Sequence, residues 1–181
     1  MRREHSLSVV KHEPNIESDN ELFRQNKLVL IARAQSERDQ GKRERTQYRN
    51  FYVGCAMLGE DGQIFSGHNL KTKKTDPTLC AERAALEEAV DHINENDVKK
   101  KNIRIIGIVI VSEESSTDRD ETSSDNTLRP CSRCVAMLNS EPHFTDDTVL
   151  LTVNDKETGG RGRLEEQITI RELEKKFDQS P

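Results

Sequence analysis

The chain has 181 residues and a net charge of −5, with 34% charged and only 4% aromatic residues. That length suits one domain with a buried core. The negative balance argues against a general electrostatic grip on a nucleic-acid backbone, though it leaves room for a local basic patch. No apolar run is long enough to span a membrane, and "MRREHSLSVVKHE" lacks the apolar stretch of a signal peptide. The expectation is a cytoplasmic protein in a compartment that keeps thiols reduced. There, clustered cysteines are more often metal ligands or catalytic groups than disulfides.

Residues 1–17 are polar, mixed in charge and interrupted by Pro14, and read as a flexible tail. "SDNE", 18–21, has capping-box spacing and opens a helix to about Gln40, burying Leu22, Phe23, Leu28, Leu30 and Ile31. "GKRERTQ" reads as a basic connection. "FYVGCAML" and "QIFSGHN", joined by "GEDG", read as a β-hairpin. After the polar loop "LKTKKTDP", Thr78 is placed to cap a helix starting near Leu79. "IRIIGIVIVS", 103–112, is β-branched and apolar almost throughout, as a strand covered on both faces would be. Residues 113–128 are acidic and rich in Ser and Thr, and read as a solvated loop insertion. A short helix is expected from Cys131, then a strand over "DTVLLTV", a turn region over "NDKETGGRGRLEEQ", and a strand running into a helical turn over "ITIRELEKKF". The fold class that follows is α/β. It is a three-layer α/β/α sandwich on a mixed five-stranded sheet, forming a single domain over residues 18–178.

Three of the four cysteines fall in two short motifs, "CAER" at 80–83 and "PCSRC" at 130–134. Pro130 suits the mouth of a helix. Cys80 also lies at an expected helix start, where the electropositive end favours a metal-binding thiolate. Two helices would then aim their N-termini at one ion. Catalytic zinc takes three protein ligands and leaves a fourth position for water, and Cys80, Cys131 and Cys134 make three. Glu82, two residues after Cys80, can reach that water without ligating the metal, and zinc makes the water it binds more acidic. Arg83 follows, placed to donate to the sulfurs and offset the surplus negative charge of three thiolates.

A redox pair at Cys131 and Cys134 would leave Cys80 and Glu82 without a purpose. A closed structural site needs a fourth ligand. The spare Cys55 sits among apolar strand residues and reads as a small core residue, and His68 lies at a strand end.

These motifs resemble the zinc-dependent cytidine deaminases, most closely the short three-cysteine type, with blasticidin-S deaminase as a close relative. The resemblance extends to "YRNFYVG" at 48–54, "DGQIFSGHN" at 61–69 and "ELEKKF" at 172–177, and so covers residues 20 to 178. It implies hydrolytic deamination of an aminated pyrimidine, with zinc on Cys80, Cys131 and Cys134 and Glu82 carrying protons. It implies that the Ala81 backbone contacts the base, Phe51 packs on the ring, Asn69 binds the sugar, and Phe177 closes the pocket from a neighbouring subunit of a homo-oligomer, usually a tetramer. The substrate would be a small nucleoside-like molecule. The chain departs from the pattern at Lys71, where the family carries a ribose-binding glutamate. A cation there suits an anionic substrate such as a nucleotide; alternatively Lys71 points to solvent and another group holds the ribose. A nucleic-acid-editing enzyme would be expected to show a basic groove with interleaved aromatics. A non-catalytic zinc domain would tolerate replacement of Glu82.

Overall fold

In the computed structural model of the chain, residues 15–47, 51–75, 77–96, 103–112, 130–155 and 164–178 are described. Residues 1–14 of the tail expected over 1–17, Tyr48 and the acidic loop at 113–128 lie outside them. No helix among the described residues is long and apolar enough to cross a membrane.

The first helix, α1 (Ile16–Glu44), is longer than the sequence suggests at both ends. Asn15 rather than Ser18 caps it: its side-chain oxygen accepts the Ser18 N–H at 3.3 Å. Asn is as good a cap as Ser, and it starts the helix two residues inside the expected tail. Glu21, the other half of the expected capping box, is bonded instead to Arg24 and Gln25. At the far end, Lys42 and Arg43 form the last turn, where basic side chains suit the negative helix end. The helix stops at Arg45, whose φ of 54° is left-handed. Most of the expected basic connection is therefore helix. Phe23, Leu30, Ile31, Ala34 and Arg38 fall on one buried stripe. Leu28 lies off that stripe and is 76% exposed, contrary to expectation.

The sheet has the order β2-β1-β3-β4-β5, formed by β1 (Val53–Gly59), β2 (Ile64–His68), β3 (Ile105–Ser112), β4 (Val149–Asn154) and β5 (Leu164–Thr169). Only β3 and β4 run parallel; the other neighbours are antiparallel. The hairpin turn works because Gly62 has a φ of 83°, which side chains rarely adopt. Residues 164–167, read from sequence as turn, are strand. The remaining helices are α2 (Ala81–Asn96), α3 (Ser132–Ser140) and α4 (Ile170–Asp178).

Strand alternation sends Cys55, Met57, Ile108, Ile110 and Leu150 to one face, packed on Ala85 and Leu86 of α2, Leu138 of α3 and Leu173 of α4. Ala56, Leu58, Val109, Val111 and Leu151 face the other way, onto Phe23, Leu30, Ile31 and Ala34 of α1. This is the expected three-layer α/β/α sandwich on a five-stranded mixed sheet. The approach of α1 is closest at Gly54, where an added Cβ would lie 1.9 Å from the Ala34 carbonyl oxygen. The buried Arg38 donates to Asp155 at 2.6 Å, and Gln35 donates to the same carboxylate at 2.8 Å. Asp155 in turn donates its N–H to the Ser112 carbonyl at 3.0 Å. These bonds tie α1 to the end of the sheet where Val53, Ser112 and Asn154 stand side by side.

Candidate metal and catalytic centre

Cys80 and Cys131 play the same structural part in two helices. The Cys80 carbonyl accepts the first α2 bond, from the Ala84 N–H at 3.1 Å, and the Cys131 carbonyl accepts from the Val135 N–H at 2.9 Å. Both therefore stand at helix N-caps, and the Cys131 side chain makes no capping bond. Thr78 does not cap α2 as expected; its hydroxyl accepts a hydrogen bond from Lys71 Nζ. Cys134 lies on the buried side of the first turn of α3. The Sγ atoms of Cys80 and Cys131 are 3.7 Å apart and those of Cys131 and Cys134 are 3.5 Å apart. All three lie within 4.8 Å of one another, the one such cluster of metal-ligating side chains among the described residues. Tetrahedral Zn–S bonds of about 2.3 Å place sulfurs about 3.8 Å apart. Two of the three separations match that spacing, so the trio fits a zinc ion.

The thiols differ in acidity. A hydrogen bond from Cys134 is the main influence that lowers Cys80 to about 6; burial opposes it, while Cys131, Arg133 and Arg83 assist. The same bond, seen from its donor, raises Cys134, as do burial and the Glu82 carboxylate. The cluster thus holds its first thiolate at Cys80, at the positive end of α2.

Glu82 is 5% exposed and is the one buried carboxylate among the described residues. Burial pushes it up to about 7, the Cys80 thiolate adds to the rise, and a backbone bond and the Cys134 thiol oppose it. Cys55 sits close by, fully buried, its own thiol pushed up by desolvation and then by Glu82. It is a core residue, as the sequence suggests, and not a fourth ligand.

Ala81 is buried in the first turn of α2, where backbone N–H groups have no partner within the helix. Phe51 is half-buried against the core. Asn69 is buried and engaged at both ends of its amide: Oδ1 accepts the Val53 N–H at 2.9 Å, and Nδ2 donates to the Phe51 carbonyl at 2.8 Å. It braces the segment that leads from Phe51 into β1. Lys71 does not point simply to solvent; its Nζ donates to Thr78 Oγ1 at 3.1 Å. Arg83 is exposed, makes no hydrogen bond to a sulfur among the described residues, and acts on Cys80 through charge alone. The side chain of Phe177 lies outside the described residues.

Sequence reasoning passed over Arg133. It occupies the spacer of the C-x-x-C motif on the first turn of α3, and its charge outweighs that of Arg83 at Cys80. Its position between two ligands was the available signal. Two buried polar atoms were also missed. Ser112 Oγ and Gln47 Nε2 have no hydrogen-bond partner among the described residues.

Residues 27–145 match the family model of the cytidine and deoxycytidylate deaminase zinc-binding region. A cytidine deaminase of Sporosarcina psychrophila is 41% identical over 61 residues, covering 34% of this chain and 43% of that protein. A probable cytidine deaminase of Dictyostelium discoideum is 31% identical over 87 residues, covering 48% of each. The chain thus spans less than half the length of these curated relatives. Among solved structures, the cytidine deaminase of Burkholderia pseudomallei superposes with a TM-score of 0.53 at 23% identity, over 80% of this chain and 93% of that one. The enzyme of Mycobacterium leprae gives 0.51 at 21% identity, over 82% and 96%. These likenesses establish a shared fold.

Proposed function

The chain belongs to the cytidine and deoxycytidylate deaminase family with its zinc-binding region, and from that membership we propose that it is a zinc-dependent hydrolytic deaminase of cytidine, deoxycytidine or a related aminated pyrimidine. The observation that carries the reading is the trio of sulfurs at zinc spacing with a buried carboxylate two residues beyond the first of them.

Cys80, Cys131 and Cys134 would hold the metal. When bound there, zinc supplies Lewis acidity that makes water a nucleophile near neutral pH. Glu82 is buried beside the sulfurs, with its carboxyl raised into the range where it can both take and give a proton. It accepts a proton as water oxygen bonds to the amino-bearing ring carbon, and passes it to the ring nitrogen. It then helps deliver a proton to the amino group as the carbon–nitrogen bond breaks, so that water and substrate become a carbonyl and ammonia. Arg83 and Arg133, one from each helix, offset the excess negative charge of three thiolates. Asn69 orders the segment before β1 that presents Phe51 to the ring and has one N–H left for a sugar hydroxyl. The Ala81 backbone would meet the base. Phe177 would close the pocket from a second copy, in a dimer or tetramer. The working unit is one domain over residues 18–178, acting on a small molecule in the cytoplasm.

The test is ammonia release, followed with the ultraviolet change of the ring, when purified protein is given cytidine and deoxycytidine. Turnover of either supports the reading. No turnover of any cytosine nucleoside or nucleotide contradicts it.

A further inference from the structure

We propose that Gln47 grips the sugar of the substrate, its buried side-chain amide donating to a sugar hydroxyl alongside Asn69. The proposal rests on the deaminase reading and adds a specificity-determining residue to it. The substrate class is a nucleoside with a free secondary hydroxyl on its sugar.

Backbone bonds set the position of Gln47. The Lys71 N–H donates to the Thr46 carbonyl at 2.6 Å, and Gln47 and Lys71 form a parallel bridge. Side chains of an extended segment alternate between two faces, and residues paired across a bridge share one. Thr46 turns towards α1, its hydroxyl 3.2 Å from the Gly41 carbonyl oxygen. Gln47 therefore leaves on the opposite face. The partner segment agrees. His68 turns towards α1, with Nδ1 3.1 Å from Glu37. Asn69 and Lys71 alternate to the other face, where Lys71 Nζ donates to Thr78 Oγ1 at 3.1 Å. Gln47 shares that face, and Thr78 is two residues from Cys80.

Distance then selects the sugar. Two residues of extended chain span roughly 7 Å, more than the width of a pyrimidine ring. A ring whose amino-bearing carbon sits at the sulfurs therefore brings its sugar, and not its base, to Gln47 and Asn69. Asn69 is a diagonal neighbour of Gln47 across the bridge, within reach of a long side chain. Bonding capacity points the same way. Gln47 is 8% exposed, and its Nε2 has no acceptor among the described residues. A buried donor without a partner is costly, and such a group in a folded protein calls for a partner from outside the chain. Asn69 commits Oδ1 to the Val53 N–H and one N–H to the Phe51 carbonyl, which leaves one N–H for the sugar. A sugar carries more than one hydroxyl, each with an oxygen that accepts, and a second neutral donor beside Asn69 suits it.

The experiment crosses a change in the enzyme with a change in the substrate. With the zinc-loaded full chain, kcat/KM is measured for cytidine, 2′-deoxycytidine, 3′-deoxycytidine and 2′,3′-dideoxycytidine, in the parent and in Gln47→Met. The variant keeps the length of the side chain and loses the donor. It should lower kcat/KM for cytidine about five- to tenfold, as expected for one neutral hydrogen bond, and mainly through KM. It should change the dideoxy substrate little, because the hydroxyl is already gone. Gln47→Leu should repeat the pattern, and Tm should hold or rise in both variants as the unpartnered amide is removed. No loss on cytidine, or an equal loss on all four substrates, overturns the proposal. A lowered Tm in both variants also overturns it, since the amide would then be bonded within the protein. Calorimetric binding of uridine against 2′,3′-dideoxyuridine repeats the cycle without turnover, and so separates failure of the sugar contact from failure of the deaminase reading. A preference for uridine that shrinks in Gln47→Met supports the contact, and an unchanged preference overturns it.

Discussion

Glu82→Gln is expected to lower kcat by about 10²–10⁴-fold, the range for loss of a positioned general acid–base, while zinc per chain stays the same. The amide has nearly the shape of the carboxyl but cannot take a proton from water. The sulfurs belong to other residues, so the metal site is left intact. Glu82 is 5% exposed and its neutral form is already favoured by burial. A neutral amide there should therefore cost little stability, and thermal unfolding should stay near that of the parent. Zinc analysis, a melting curve and steady-state rates on one preparation check all three statements. Turnover close to the parent's would remove Glu82 from the mechanism and favour a non-catalytic zinc domain.

Gly54→Ala is expected to be the most damaging small change outside the metal centre. Its Cβ would lie 1.9 Å from the Ala34 carbonyl oxygen and 2.6 Å from the Arg38 backbone nitrogen. Both are atoms of the helix backbone, so no rotamer change makes room. The helix must lift from the sheet, disturbing the Arg38–Asp155 tie and the start of β1 from Val53 to Cys55. Overpacking of this kind costs about 3 kcal/mol or more, which for a chain of this size lowers Tm by roughly 6–12 °C. Gly62→Ala is the comparison. Nothing lies within 4 Å of its added Cβ, and only the φ of 83° opposes it, so a cost of about 1 kcal/mol is expected. Differential scanning calorimetry of both variants tests the ranking. A larger loss in Gly62→Ala would mean that α1 is not packed on β1 as described.

Much of this was legible in the residues. The β-branched run at 103–112 could be little else than a central strand, and "DGQIFSGHN" set its hairpin by a glycine that needs positive φ. The three cysteines and Glu82 were legible because helix starts place short-range motifs in fixed directions. What escaped notice depended on competition or on distant partners. Asn15 and Ser18 are equivalent caps by composition, and only the packing of α1 selects between them. Leu28 looks like core until the stripe through Phe23, Leu30, Ile31 and Ala34 leaves it outside. Strand β5 is an edge strand whose Glu165 and Glu166 pair with Lys27 of α1 and Lys176 of α4, so "LEEQ" reads as turn until those partners and its pairing with β4 are seen. The bracing role of Asn69 requires its amide to meet backbone groups 16 and 18 residues away in the chain.

The central claim is that Cys80, Cys131 and Cys134 form a single zinc site beside a carboxylate that does not ligate it. Metal analysis of the purified chain and of the Cys131→Ala/Cys134→Ala double variant tests this most directly. About one zinc per chain in the parent, and almost none in the variant, is the predicted result. Zinc retained in full by the variant, or a parent that binds none when zinc is supplied, would contradict it.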